Sequence, residues 1–145
     1  MRISTKGEYG IRALLELSRR YGAGYVQSTE IAGARGIPEN YLYQLLITLR
    51  KAGIIRSRRG PQGGHMLARA PSAISVADAV IALEGPLAPI ACVQTDIEDD
   101  CPYSCNCAMR GVWERVTDST HEILRRTTFD TLVERERQLE QSAAG

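Results

Sequence analysis

The stretch from Ser28 to Ala68 constrains the fold more than any other part of this chain. Ser28 or Thr29 is suited to cap a short helix over 30–35, which must stop at Gly36. Ile37-Pro38 then opens a longer helix, with the proline in a first turn that has no use for its missing N–H. Tyr41, Leu42, Leu45, Leu46 and Leu49 recur at spacings of three and four, and Ala52-Gly53 closes the run. A short helix, a turn carrying glycine and a longer helix make a helix-turn-helix pattern. Residues 54–58 and 65–68 then read as two short strands around the tip Arg59-Gly60-Pro61-Gln62-Gly63-Gly64. A β-hairpin placed there is a wing. The expected fold is therefore mainly α with a small β-hairpin wing: a winged helix-turn-helix domain followed by a long dimerisation helix.

The flanking segments complete that outline. Thr5-Lys6-Gly7-Glu8 has the form of a capping box, and Tyr9, Ile11, Leu14, Leu15 and Leu17 give the helix behind it an apolar face. Gly22 and Gly24 end it. Ser75 with Asp78 caps a fourth helix running to about Glu84, which Gly85-Pro86 stops. A further helix over 108–127 carries Val112, Trp113, Val116, Ile123 and Leu124 on one stripe. A stripe lying outside the compact domain needs burial, and a second copy of the chain supplies it most economically, so a homodimer is expected. The expected divisions are a DNA-binding domain over 1–85, a cysteine-bearing loop over 86–107, a dimerisation helix over 108–131 and a flexible tail over 132–145.

Charge is divided between the halves. Residues 1–71 hold twelve Lys/Arg against four Asp/Glu, and residues 72–145 hold six against thirteen, so a net +1 conceals balances of +8 and −7. A basic half of this kind suits a polyanion, here double-stranded operator DNA. Glu39, Asn40, Tyr41, Tyr43 and Gln44 stand near the start of the second helix of the motif, where base edges are read. Asn40, Tyr43 and Gln44 are the stronger candidates among them, since Tyr41 or Leu42 is needed in the core. Arg50, Lys51, Arg56, Arg58, Arg59 and Arg69 are candidates for phosphate contacts. Gly60, Gln62, Gly63, Gly64 and His65 belong to the wing tip, which the backbone can bring close to DNA, with the minor groove as an alternative destination. No nucleophile–base pair, nucleotide loop or carboxylate pair is present, so no enzyme is expected. Neither a signal-peptide pattern nor a membrane-length apolar run occurs, which makes the cytoplasm the expected location.

All four cysteines, Cys92, Cys101, Cys105 and Cys107, fall within sixteen residues as C-x8-C-x3-C-x-C. Thiolates gathered on a short loop are the ligand type that iron–sulfur clusters and soft metals need. In a reducing compartment they are more readily metal or redox ligands than disulfides. A zinc site is the alternative, although C-x-C beside C-x3-C lacks the paired C-x2-C knuckles usual for zinc. His65 and His121 are poorly placed to join the loop, and Trp113 suits helix packing.

The opening Met1-Arg-Ile-Ser-Thr-Lys-Gly-Glu-Tyr-Gly10, the helix 41–46, the segment Leu49-Arg-Lys-Ala-Gly-Ile54 and the wing pattern Arg59-Gly60-x-x-Gly63-Gly64-x-x-Leu67-Ala68 together resemble the Rrf2 family. Leu83-Glu-Gly-Pro86 and Cys107-x-x-Arg110-x-x-Trp113 extend the likeness to about residue 130. The resemblance implies a dimeric winged-helix transcription regulator, and specifically the branch of IscR, NsrR and RirA type that senses iron–sulfur, redox or nitric oxide status. It implies an iron–sulfur cofactor, 2Fe-2S ahead of 4Fe-4S, held by Cys92, Cys101 and Cys107. Cys105 is additional to that layout. Arg110 stands where the IscR type has a histidine ligand, so that ligand set does not transfer. Glu8 matches the position from which other relatives offer an acidic ligand across the dimer, although the capping box also explains it. The opening is similar as well to cysteine-metabolism repressors of the family, which lack the full cysteine loop. That leaves a cluster-free alternative acting through direct thiol chemistry, zinc or a regulatory protein partner.

Overall fold

A computed structural model describes residues 2–93, 102, 103 and 106–144. Helix α1 (Thr5–Arg19) is the hub: α2 (Ser28–Arg35), α3 (Glu39–Lys51), α4 (Val76–Glu84) and α6 (Phe129–Ala144) all pack on it. Strands β1 (Ile55–Arg58) and β2 (Gly64–Leu67) pair antiparallel with Ile55 opposite Leu67 and Ser57 opposite His65. Helix α5 (Arg110–Arg126) lies against α4 and against a 3₁₀ turn at Ala91–Val93. The core is a continuous cluster in which Leu14, Ile31, Leu42, Leu49, Ile74 and Phe129 are wholly buried.

Helix α1 begins one residue earlier than the expected capping box requires. Ser4 is its N-cap, and its Oγ accepts from the Gly7 N–H at 3.3 Å. Glu84, at the end of α4, accepts hydrogen bonds from the Ser4 N–H at 2.9 Å and from its hydroxyl. The carboxylate expected from Glu8 thus comes from another helix, and Glu8 ion-pairs with Arg12 instead. A negative charge at this end of α1 also complements the helix dipole. Gln27, rather than Ser28 or Thr29, occupies the N-cap of α2, and Pro38 precedes α3 as its N-cap residue. The Ser75–Asp78 capping box of α4 forms as expected, with bonds of 3.1 and 3.0 Å.

The segment after residue 131, expected to be a flexible tail, is helical and packed. Phe129 and Val133 are buried, Leu132 packs on the core, and Glu136 and Glu140 continue the same face. Arg35 reaches Glu136 through two bonds of 2.6 and 3.1 Å, and Arg19 reaches Glu140 at 2.5 and 3.0 Å. Charge-rich composition suggested disorder, but the three-and-four spacing of 129, 132, 133, 136 and 140 aims one face at α1 and α2. The start of α4 and the α5–α6 corner are stitched together by the Val76 N–H to the Thr127 carbonyl, at 2.8 Å, and by Phe129 N–H to Ile74 carbonyl, at 3.1 Å.

Helix α5 has no buried residue. Val112 and Val116 are each 43% exposed and Ile123 is 66% exposed, leaving the apolar stripe foreseen in the sequence uncovered in the single chain. Trp113 and Leu124 are half-buried beside it.

Replacing Phe129 by Ala should cost about 3–5 kcal/mol, the usual range for a buried aromatic, read as a lowered urea midpoint. The Arg35 hydrogen bond holds the Glu136 carboxyl below its ordinary value. Its contribution is therefore present above the ordinary carboxylate range and is lost as pH falls through the lowered value. The stability gap between the wild type and Glu136→Gln should close on acidification, as followed by urea titrations at descending pH.

Candidate nucleic-acid interface

Helix α3 sorts its residues by face. Leu42, Leu45, Leu46 and Leu49 are buried, while Glu39, Asn40, Tyr41, Tyr43 and Gln44 are exposed. Tyr43 is the most open of the aromatics on this surface, at 63%. Of the two residues considered for the core, Leu42 fills it. Tyr41 stays at the surface but leans toward α1, edge-on to Tyr9 with ring centroids 5.5 Å apart, and Arg12 lies over the Tyr9 ring.

The hairpin alternates in the same way. Arg56 and Arg58 point outward, with Arg59, Gly60 and Gln62 exposed at the tip, whereas Ile55 is buried and Ser57 half-buried. Gly63 is buried rather than presented at the surface. An added Cβ there would stand 2.0 Å from the Arg58 carbonyl oxygen, so the tip can close only around glycine. Gly64 has φ +138°, and a Cβ on it would meet the Val26 carbonyl at 2.4 Å. Gln27, which carries no local signal that would single it out, anchors the tip by donating from its side-chain amide to the Gly63 carbonyl at 2.6 Å. Finding it required knowing that the wing folds back on the start of α2.

His65 is an internal strut of the wing. Its backbone exchanges two hydrogen bonds of 2.8 Å with Val26, and its Nδ1 shares a 2.7 Å hydrogen bond with the Ser57 hydroxyl. Burial, with the nearby Arg50 charge second, pushes its pKa below the usual value, which favours the neutral ring.

Between α3 and the wing lies a groove of about 390 Å³, lined by Tyr43, Ile47 and Arg50 on one side and by Ser57, Arg58, Arg59 and His65 on the other. Among the described residues, Arg50, Lys51, Arg56, Arg58 and Arg59 have no carboxylate partner. The arginines on the opposite side behave differently: Arg19, Arg20 and Arg35 are all engaged by Glu16, Glu30, Glu136 or Glu140. Cations left unpaired beside an exposed helix are free to neutralise phosphates, and the exposed amide, carboxamide and phenol groups of α3 can address base edges.

The cysteine loop is only partly within view. Cys92 is half-buried in the 3₁₀ turn against α5, and Cys107 is exposed just before that helix, its carbonyl accepting from the Arg110 N–H at 3.3 Å. Both are free thiols, and Cys101 and Cys105 lie outside the described residues. Among the described residues no three His, Cys, Asp or Glu side chains come together as metal ligands. Glu8 is exposed on α1 and paired with Arg12. No described helix is long and apolar enough to cross a membrane.

A helix-turn-helix whose second helix is flanked by a cationic hairpin defines a winged-helix DNA-binding protein. Comparison with known proteins narrows this class. The Rrf2 family profile, described as an iron-dependent transcriptional regulator, matches residues 3–135. The HTH-type transcriptional regulator CymR of Bacillus subtilis is 39% identical over 132 residues, covering 91% of this chain and 89% of that protein. A solved structure of CymR, titled as the global cysteine regulator of B. subtilis, superposes with a TM-score of 0.76 at 37% identity, covering 92% of this chain and 97% of that one. The structure of T. potens IscR gives 0.74 at 36% identity, with 94% and 88% covered. The chain belongs to the Rrf2 family and is a transcriptional regulator.

Gly63→Ala should weaken operator binding by distorting the wing while leaving the helical content unchanged, as checked by gel shift and circular dichroism. Arg58→Ala and Arg59→Ala should each reduce the slope of log affinity against log salt by about one. Because His65 is held neutral, the fold loses stability as pH drops from the ordinary histidine value through the lowered one, where the unfolded chain binds more protons. His65→Gln should flatten thermal stability between about pH 7 and 5, a range in which histidine titrates.

Proposed function

We propose that this regulator acts as a homodimer on operator DNA and senses iron–sulfur, redox or nitric oxide status through the cysteines of residues 92–107. The observation that carries the reading is the confinement of every cysteine in the chain to that one stretch, which runs up to the start of α5. Each subunit would place α3 in the major groove, with Asn40, Tyr43 and Gln44 toward base edges. Arg50, Lys51, Arg56, Arg58 and Arg59 would hold the phosphates, with the wing tip entering alongside. The Val112, Val116 and Ile123 stripe of α5 would be covered by its copy. Arg69 is less suited to DNA than the wing arginines, because it is tied to the Ala73 carbonyl and to Asp78.

The donor set fits an iron–sulfur cluster. Cys92 and Cys107 are both free cysteines bordering the loop, one on a turn that packs against α5 and the other at that helix's approach. Cys92, Cys101 and Cys107 would be the thiolate ligands, with Cys105 or Glu8 of the partner subunit available for a fourth position. Such a cluster supplies reversible one-electron chemistry and sensitivity to oxidants and nitric oxide. The chain's own part is mechanical: the Ala91–Val93 turn joins the loop to α5, and α5 rests on α4 of the DNA-binding unit. A coupling of ~1–3 kcal/mol through that contact would change operator affinity several-fold or more.

A second reading keeps the DNA binding and dispenses with the cluster. The likeness to a global cysteine regulator favours it, and so does the exposure of the free Cys107 thiol, which suits direct oxidation.

Anaerobic purification followed by absorption and Mössbauer spectra, with iron and sulfide assays, separates the two. A brown protein with matched iron and sulfide, whose operator affinity changes when the cluster is removed, is the expected result, and Cys92→Ser and Cys107→Ser should abolish the colour. A colourless protein that takes up no iron on reconstitution would exclude the cluster. Operator binding that then responded to peroxide only while Cys107 is intact would support thiol sensing.

A further inference from the structure

A second concavity, of about 530 Å³, opens between α4, the chain leaving it and α5. Its volume falls within the range that holds a drug-sized ligand, roughly 300–1,000 Å³. One wall is apolar, formed by Ile81 of α4, Leu87 beyond it and Val93 of the 3₁₀ turn. The facing wall is a single strip of α5 carrying Asp118, His121, Glu122 and Arg125. These positions are spaced three and four apart and so share one side of the helix.

The charges on that strip are not equivalent. Glu122 is paired with Arg125 at 2.8 Å and with Arg126 at 2.6 Å, so its charge is answered within the helix. Asp118 has no hydrogen-bond or ion-pair partner among the described residues. Asp118, exposed and without an ion-pair partner, therefore lines the same space as the apolar wall, beside His121 and the already paired Arg125. At about 100° per residue, the exposed Val112, Val116 and Ile123 lie on roughly the opposite side of α5. A second subunit covering that stripe therefore leaves the mouth of the cleft open.

We propose that this cleft binds a small amphipathic organic cation. Its ammonium pairs with Asp118, and its apolar body lies on Ile81, Leu87 and Val93. An anion would be repelled by the Asp118 charge, and a neutral molecule of the same shape would gain no charge-assisted hydrogen bond from it. The occupant touches α4 and α5 together, which are the DNA-binding unit and the proposed dimerisation helix. The inference stands on the cleft alone and does not require a cluster.

The test uses three molecules of similar shape on the full chain: tryptamine as the cation, tryptophol as the neutral analogue and indole-3-propionate as the anion. Amide chemical-shift mapping gives both the site and the affinity. Tryptamine should shift resonances of Ile81, Val93 and residues 118–125, and should bind about tenfold more tightly than tryptophol, the lower end of what one charge-assisted hydrogen bond supplies. Asp118→Asn, at an exposed position, should erase the preference for tryptamine over tryptophol. Ile81→Trp, also at a partly exposed position, should fill the floor and abolish binding without lowering the thermal midpoint. Absence of shifts in the cleft, equal binding of the anion, or an unchanged preference in Asp118→Asn would each overturn the proposal. None of these outcomes bears on the spectra that decide the cluster reading.

Discussion

The arrangement rests on how closely α4 approaches α1. A Cβ on Gly7 would stand 2.2 Å from the Glu84 carboxylate, and one on Gly10 would stand 2.4 Å from Leu83. Two glycines one turn apart therefore give α1 a bare side against which the end of α4 lies directly. The same contact brings Glu84 to the first turn of α1, where it engages Ser4 and meets the positive end of the helix. With α4 fixed on α1, the position from which the chain departs toward the cysteine loop and α5 is fixed as well. The DNA-reading unit and the segment beyond it are in this sense one body joined through two missing methyl groups.

Around that contact the charged residues divide into two populations. On the α2–α6 side, Glu16 is almost buried and is held by Arg20 at 2.7 Å and by Arg35 at 3.0 Å, and Arg35 continues to Glu136. A partly buried carboxylate needs such company, and removing one partner would leave a charge exposed to low dielectric. On the α3–wing side the cations lack acidic neighbours, which costs little in solvent and keeps them available. Net charge conceals this arrangement. The +8 of residues 1–71 matters because Glu8, Glu16 and Glu30 are taken up by Arg12, Arg20 and Arg35, which leaves the α3 and wing cations without ion-pair partners among the described residues.

Much of the fold could be read from the chain because local rules dominate it. The leucine spacing of α3, the Ser75–Asp78 box and the glycine-rich tip each act within a few residues of themselves. What was misread depends on distant partners. Ser4 looks unremarkable until Glu84 arrives from eighty residues away, and Gln27 gains its role only when the wing folds back on it. Residues 132–145 read as a flexible tail by composition, and only the docking of Phe129 into the core and of Glu136 onto Arg35 overrides that impression. For the candidate site, the exposed positions of α3 and the wing arginines follow from periodicity alone. The burial of Gly63 and the pairing of His65 with Val26 do not, since both depend on the wing folding back on the start of α2.

The stitching of the α5–α6 corner onto the start of α4 has a mechanical consequence. Ser75 and Thr128 form a bridge there, so the C-terminal end of α5 is pinned to the DNA-binding body. Seventeen residues of helix make an arm of ~25 Å measured from that pin. Any change in its tilt is smallest at Thr127 and greatest at the far end, just before which Cys107 stands. The hinge and the thiol occupy opposite ends of the arm, so a small rotation at the pin appears as a displacement of ångströms at the cysteine, and a small force at the cysteine acts on the pin with the full leverage of the helix.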